Sequence, residues 1–219
     1  MNIVDCNQGD SAWFKCRLGV VTSSRVADVV AKRKRVKDGV KPEELACRRD
    51  MRYELLLENL TGKPTEHYVS RWMKEGKEKE PIARVEYELF AGTSVEQVGF
   101  VYHDRIKMAG CSPDGLVGDS GLIEIKCPAL NTHLEYLIAD AIPEEYQPQM
   151  LWQMACTDRQ WCDFVSFHPD MPEHLQLFVK RMERDEGLIR GYELEVEYFL
   201  AEVDSQLAKL KESNRLATA

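Results

Sequence analysis

Apolar positions in this chain follow two rhythms, three- and four-residue steps in most segments and strict alternation in the middle. Residues 8–19 carry Trp13, Arg17 and Gly19 at the spacing of a short helix closed by a glycine. A second helix is predicted from Arg25 to about Ala31, with Ser23 or Ser24 as its cap. Pro42 opens a third, whose apolar positions are Leu45, Met51, Leu55, Leu56 and Leu60, and Gly62 and Pro64 stop it. From about Val69 to Ala91, Trp72, Met73, Ile82, Val85, Leu89 and Phe90 are expected to face a core. Pro81 predicts a kink there, or a fresh helix start after Glu80.

Alternation then takes over. Val95–Tyr102 reads as one strand and Met108–Cys111 as another. In the short strand Leu122–Lys126, Leu122, Glu124 and Lys126 share one face, while Ile123 and Ile125 face a core on the other. Helices are expected at Asn131–Ala139, begun by an Asn or Thr cap, and at Glu145–Thr157, and strands at Trp161–His168 and Leu175–Met182. A long amphipathic helix follows Arg184, with Tyr192, Val196, Phe199, Val203, Leu207 and Leu210 in its stripe. The fold class is α/β, with a central mixed sheet flanked by helices, and one domain is expected over residues 1–219.

Composition narrows the function. The chain is 44% apolar and 30% charged, as in a folded globular domain, and its net charge of −8 argues against bulk electrostatic coating of nucleic acid. Any DNA contact must be local, and residues 32–41, the one dense basic run, are the candidate for it. The cysteines, seven in all, include no CxxC pair and are expected mostly as small core residues. The amino terminus is not signal-like and no apolar run approaches membrane length, so a cytosolic chain with reduced thiols is expected. His103, His133, His168 and His174 lack ligand spacing and are expected as structural or surface residues.

The chemistry concentrates in Ala109–Pro128. The turn Gly118-Asp119-Ser120-Gly121 folds the strand back toward Asp114, so Asp114, Glu124 and Lys126 converge. Two carboxylates make a hard oxygen site suited to Mg²⁺ or Mn²⁺, and a lysine beside them can orient water or neutralise developing charge. Two further features stand out. A helix start near Ser23 and Ser24, beside Arg17, has the makings of a phosphate cradle, or of plain caps and ion pairs. Tyr146, Gln149 and Gln153 form a polar stripe that faces either solvent or buried partners.

Ser112-Pro113-Asp114 followed by Glu124-Ile125-Lys126, flanked by Cys111 and by Cys127-Pro128, resembles the phage lambda exonuclease (viral recombinase) family of PD-(D/E)xK nucleases. Trp13-X-X-X-Arg17-Leu18-Gly19-Val20-Val21-Thr22-X-Ser24, Gly76-X-X-X-Glu80 and Tyr146-X-X-Gln149 match the family's other motifs in order, and the resemblance covers about residues 8–170. It implies a restriction-endonuclease-like core and processive 5′-to-3′ digestion of one strand of linear duplex DNA, in a homotrimeric ring. It further implies two Mg²⁺ ions per site, a phage single-strand annealing protein as partner, and action in the cytoplasm of a bacterial host by a phage- or prophage-encoded protein.

Carried over residue by residue, the resemblance implies metal ligands at Asp114, Glu124, the Ile125 carbonyl and Glu80. Lys126 and Gln149 join Asp114 and Glu124 in catalysis, and Arg17, Ser24 and Ser112 grip the 5′-phosphate. Tyr146 is a neighbour of the site, and Gln153 matches only through a shift of the family's second glutamine. Pro81 departs from lambda exonuclease itself. Two other readings stay open. A RecB-like nuclease of the iron–sulfur type needs a carboxy-terminal cysteine cluster, and no cysteine follows Cys162. A DNA-end-binding module with idle acids is the non-enzymatic alternative.

Overall fold

The structure, a computed structural model, describes residues 1–31, 44–65 and 71–217. The basic run 32–41, the helix start at Pro42, the start near Val69 and the side chains of Trp72 and Met73 lie outside the described residues.

Two mixed sheets form the frame. The smaller has the order β1 (Asn2–Val4), β4 (Phe100–Tyr102), β5 (Ala109–Cys111), β2 (Val21–Thr22), the last pair parallel. The larger runs β3 (Val95–Glu96), β6 (Gly115–Val117), β7 (Gly121–Lys126), β8 (Trp161–Phe167), β9 (Leu177–Glu183), with only β7 and β8 parallel. The single strand expected over Val95–Tyr102 is therefore two strands in different sheets. The chain breaks between them at Gln97–Gly99, where a Cβ on Gly99 would lie 2.2 Å from the Cys6 carbonyl oxygen.

The helices are α1 (Ser11–Arg17), α2 (Val26–Val30), α3 (Ala46–Thr61), α4 (Arg71–Ala91), α5 (Leu130–Ala139), α6 (Gln147–Thr157) and α7 (Glu186–Ala217). The larger core joins α2, α3, α6 and α7 to both sheets, through Val29, Leu55, Trp152, Phe199, Val101 and Phe164 among others. A smaller core lies across the five-stranded sheet, where Ala83 and Tyr87 of α4 meet Ile123, Ile125, Val165 and Phe167. Strand β7 is thus covered on both faces, with Leu122 and Glu124 in or beside the larger core and the two isoleucines in the smaller. The alternation expected in Leu122–Lys126 is present, and the face bearing Glu124 is enclosed as well.

Several boundaries differ from expectation for identifiable reasons. Helix α2 is capped at Arg25 without a side-chain bond, because Ser23 is buried and the exposed Ser24 pairs with Thr22 Oγ1 at 3.2 Å. Neither serine therefore caps α2. Helix α5 is likewise preceded by Ala129 rather than by an Asn or Thr cap. Helix α4 continues through Pro81 as one element instead of restarting. It turns Ala83 and Tyr87 inward and leaves Ile82, Val85, Leu89 and Phe90 exposed, the reverse of the expected face. Of the cysteines, Cys111, Cys156 and Cys162 are buried, Cys6, Cys16 and Cys127 are half-buried and Cys47 is exposed, so core placement holds for the minority. His103, His133 and His168 are buried and hydrogen-bonded and His174 is exposed, as expected of structural and surface residues.

Candidate active site

The hairpin of β6 and β7 pairs Gly115 with Ile123, so Asp114, just before β6, stands beside the end of β7. Its Oδ2 accepts the Ile125 N–H at 2.7 Å. Close packing tightens the other end of β7, where a Cβ on Gly121 would lie 2.1 Å from the Trp161 ring.

Glu124 is 1% exposed, and a carboxylate at that depth costs several kcal/mol unless its oxygens are bonded. They are. Gln149 Nε2 donates to Oε1 at 2.6 Å, Gln153 Nε2 donates to Oε2 at 2.6 Å, and Lys126 Nζ lies 2.5 Å from Oε1. The polar stripe of α6 thus faces inward, onto the acid on β7. Lys126 also lies 4.9 Å from the centre of the Tyr146 ring, which stacks on Phe164.

The electrostatics agree with a crowded acidic site. Burial, and then Glu124, hold the Asp114 carboxyl well above its ordinary range, with Glu80 adding to this and Lys126 opposing it. Burial also raises Glu80, against the pull of Lys126 and Lys77. For Lys126, burial works against the ammonium, but Glu124 and Asp114 outweigh it and the pKa rises, so the residue is a fixed cation. Burial together with Glu80 pushes the Cys127 thiol up to about 12, leaving it protonated. Glu80, Asp114, Glu124 and Lys126 therefore sense one another's charge. The main-chain N–H of Ile125 is the part of that residue seen bonded to the site.

The donor set suits a hard divalent cation. Its side-chain donors are carboxylate oxygens, and burial, the first cause of the raised proton affinities of Asp114 and Glu80, disfavours ionised forms that a bound cation would stabilise. Among the described residues no three His, Cys, Asp or Glu side chains are already drawn together to hold an ion, and Lys126 sits against Glu124.

A second cluster lies at the other end of the same loop. Trp13 Nε1 donates to Ser112 Oγ at 2.8 Å, and the Arg17 guanidinium lies 4.3 Å over the Trp13 ring. Arg17 and Ser112, 95 residues apart in sequence, are joined through this indole. Arg17 is half-buried, and burial pulls its pKa down against the nearby Glu58. In the parallel pair β2–β5, Thr22 lies opposite Gly110, and Ser24, in the turn beyond β2, is exposed with its hydroxyl 3.2 Å from Thr22 Oγ1. Gln8 Nε2 donates to Pro113 O at 2.8 Å and to Val98 O at 2.9 Å, fixing the loop before Asp114. Sequence reasoning assigned no role to Gln8 and none to Trp13 beyond its place in a motif. The signal for both is spatial, a side-chain donor meeting a loop about 100 residues away.

The structure thus brings together Asp114, Glu124, Lys126, Glu80, Gln149, Gln153 and Tyr146 in one region, and Arg17 and Ser112 in the adjoining one. Alongside lies a cleft of about 370 Å³, lined by Gly76 and Lys79 of α4, by Cys127–Asn131 and by His168.

Residues 12–160 match the YqaJ-like viral recombinase domain. The alkaline exonuclease LHK-Exo from Laribacter hongkongensis is 43% identical, with a TM-score of 0.85 over 95% of this chain and 100% of the other. LHK-Exo in complex with dAMP is 44% identical, with a TM-score of 0.86 over the same shares. A phage related exonuclease from Haemophilus somnus 129PT, 16% identical with a TM-score of 0.67 over 87% of this chain and 96% of that one, shares the fold. No curated protein matches.

Proposed function

The chain belongs to the YqaJ-like viral recombinase family, and from that premise we propose that it is a Mg²⁺-dependent exonuclease. It removes 5′-mononucleotides from the 5′-phosphorylated strand of linear duplex DNA, moving 5′ to 3′ and leaving 3′ overhangs for recombination by single-strand annealing. The observation that carries this reading is the joining of two clusters by one short loop. Asp114, at the Glu124–Lys126 site, is two residues from Ser112, which Trp13 ties to Arg17. An end-phosphate grip beside a hydrolytic centre measures one nucleotide from the end.

Asp114, Glu124, the Ile125 carbonyl and Glu80 would hold two Mg²⁺ ions, with Mn²⁺ able to substitute. Bound there, such ions stabilise the attacking and leaving oxygens of a phosphodiester. Lys126, at 2.5 Å from Glu124 Oε1, would orient the attacking water or neutralise charge at the phosphorus. Gln149 and Gln153 hold Glu124 in its rotamer, and Tyr146 packs against the lysine. Arg17 and Ser112, with Ser24, hold the terminal phosphate. Water attacks the phosphorus, the bond to the 3′ oxygen breaks, and the released nucleotide departs with a 3′ hydroxyl. The shortened strand keeps a 5′-phosphate, so each cut regenerates the group the clamp holds.

A homotrimeric ring fits two unlike apolar surfaces, since head-to-tail closure needs complementary faces. One is the stripe Ile82, Val85, Leu89 and Phe90 on α4. The other is a cleft of about 580 Å³ between α3 and α7, lined by Tyr53, Leu57, Leu60 and Leu210. A phage annealing protein is the expected partner, and a bacterial cytoplasm the expected place of action. No helix among the described residues is long and apolar enough to cross a membrane.

The test compares 5′-phosphorylated and 5′-hydroxyl linear duplexes with closed circles, in Mg²⁺ and in EDTA. The phosphorylated duplex is degraded fastest, and Arg17→Ala removes the difference between the two linear substrates. Rapid cutting of closed circles, or an Arg17→Ala enzyme that keeps its preference, refutes the end-dependent mechanism.

A further inference from the structure

Gly76, Glu80, Ala83 and Tyr87 follow one another at steps of four, three and four, which places them on one stripe of α4. That stripe faces the sheet, since Ala83 is 0% and Tyr87 1% exposed. Each end of it is fixed differently. At Gly76 the helix backbone is so near the turn after β7 that a Cβ would lie 3.2 Å from the Cys127 carbonyl oxygen. At the other end Tyr87 Oη donates to Asp163 Oδ2 at 2.8 Å.

Asp163 is itself held. It is 4% exposed, lies opposite Ile123 in the β7–β8 pair, and accepts Arg181 Nε and Nη2 at 2.8 and 2.9 Å. The Arg181 guanidinium in turn lies 3.5 Å over the Trp161 ring. A buried tyrosine bonded to a carboxylate that is already paired to arginine is a rigid anchor, because no rotamer change leaves its partners satisfied. Between the two anchors stands Pro81, which has no N–H and so removes one backbone bond from the turn that carries Glu80. The register of that turn depends correspondingly more on what holds its ends.

We propose that Tyr87, tied to Asp163 and Arg181, is a positioning residue that sets the rotation of α4 and thereby aims Glu80 at Asp114 and Glu124. Gly76 closes the amino-terminal side of the same device. The proposal rests on the reading of Glu80 as an acid of the metal site. Tyr87 touches neither DNA nor metal in it and acts only through the helix.

Binding of Mn²⁺ is followed by the EPR signal of the free ion, well below the melting temperature, for the wild type and for Tyr87→Phe, Gly76→Ala and Glu80→Gln. Tyr87→Phe keeps the ring in the core and removes only the hydroxyl. It is expected to bind Mn²⁺ about tenfold more weakly, as loss of a group supporting a ligand does, while Tm falls by only about 2–4 °C. Gly76→Ala weakens binding in the same direction and decides the matter should Tyr87→Phe fail to fold. Wild-type affinity in the folded Tyr87→Phe protein, with weakened binding in Glu80→Gln, overturns the positioning role and leaves Glu80 as a ligand. Wild-type affinity in Glu80→Gln overturns the ligand reading and the proposal with it.

Discussion

Replacing Gln153 by leucine tests whether the amide stripe of α6 serves the acid or merely fills the core. The Gln153 side chain is 0% exposed, its Nε2 lies 2.6 Å from Glu124 Oε2, and its Oε1 accepts the Cys162 thiol at 4.0 Å. Leucine keeps the volume approximately and removes the donor, leaving one oxygen of a buried carboxylate without its partner. Gln149 and Lys126 still serve Oε1. A hydrogen bond to a charged group contributes about 1.5–3 kcal/mol. Each kcal/mol moves the Tm of a chain this size by about 2–4 °C, so a fall of about 3–12 °C is expected in EDTA. If the same bond holds Glu124 in its working rotamer, digestion of linear duplex DNA slows about ten- to hundredfold, since each 1.4 kcal/mol is a factor of ten. Thermal melts in EDTA and nucleotide release from a 5′-phosphorylated duplex in Mg²⁺ measure the two effects. A variant within about 1 °C and about twofold of wild type, well short of those ranges, refutes the assignment and makes Gln153 a core residue only.

Lys126→Met is expected to lower DNA digestion by about 10²–10⁴-fold, the usual share of a group that handles protons or charge in the reaction. A gel-shift assay should still find binding to DNA ends, and digestion near the wild-type rate refutes the role. Asp114 predicts a pH dependence. Its folded pKa stands well above the unfolded value of about 3.9, so the fold favours the protonated acid. The stability this contributes is complete below about pH 4 and is lost as pH rises through the folded pKa. A divalent cation pairs with the ionised form, so the rise in Tm that Mg²⁺ produces over EDTA should grow with pH across that window. Asp114→Asn should flatten the dependence, and melts at a series of pH values check it.

The legible parts of the fold were those set by local pattern. The helix stop at Gly62, in the left-handed region at φ 65°, the hairpin turn between β6 and β7, and the alternation in Leu122–Lys126 depend on neighbours within a few residues. Helix α4 was misread because its amphipathicity is real but points outward. The stripe Ile82, Val85, Leu89 and Phe90 is exposed, and the inward face is carried by Gly76, Ala83 and Tyr87, whose small residues give no apolar signal. Val95–Tyr102 alternates as one strand, and only its partners, β6 on one side and β1 and β5 on the other, divide it between sheets.

The sequence by itself determined the chemical inventory: which acids, lysine and amides are present, and through β alternation that Glu124 and Lys126 share a face. Short-range covalent geometry suffices for that. Only the tertiary structure decided that this face is covered by α6, that Gln149 and Gln153 point into it and not to solvent, and that Trp13 joins Arg17 to Ser112. Those facts depend on segments tens of residues apart being pressed together by the burial of apolar surface around them. A buried carboxylate then has to find its donors among whatever side chains that packing supplies.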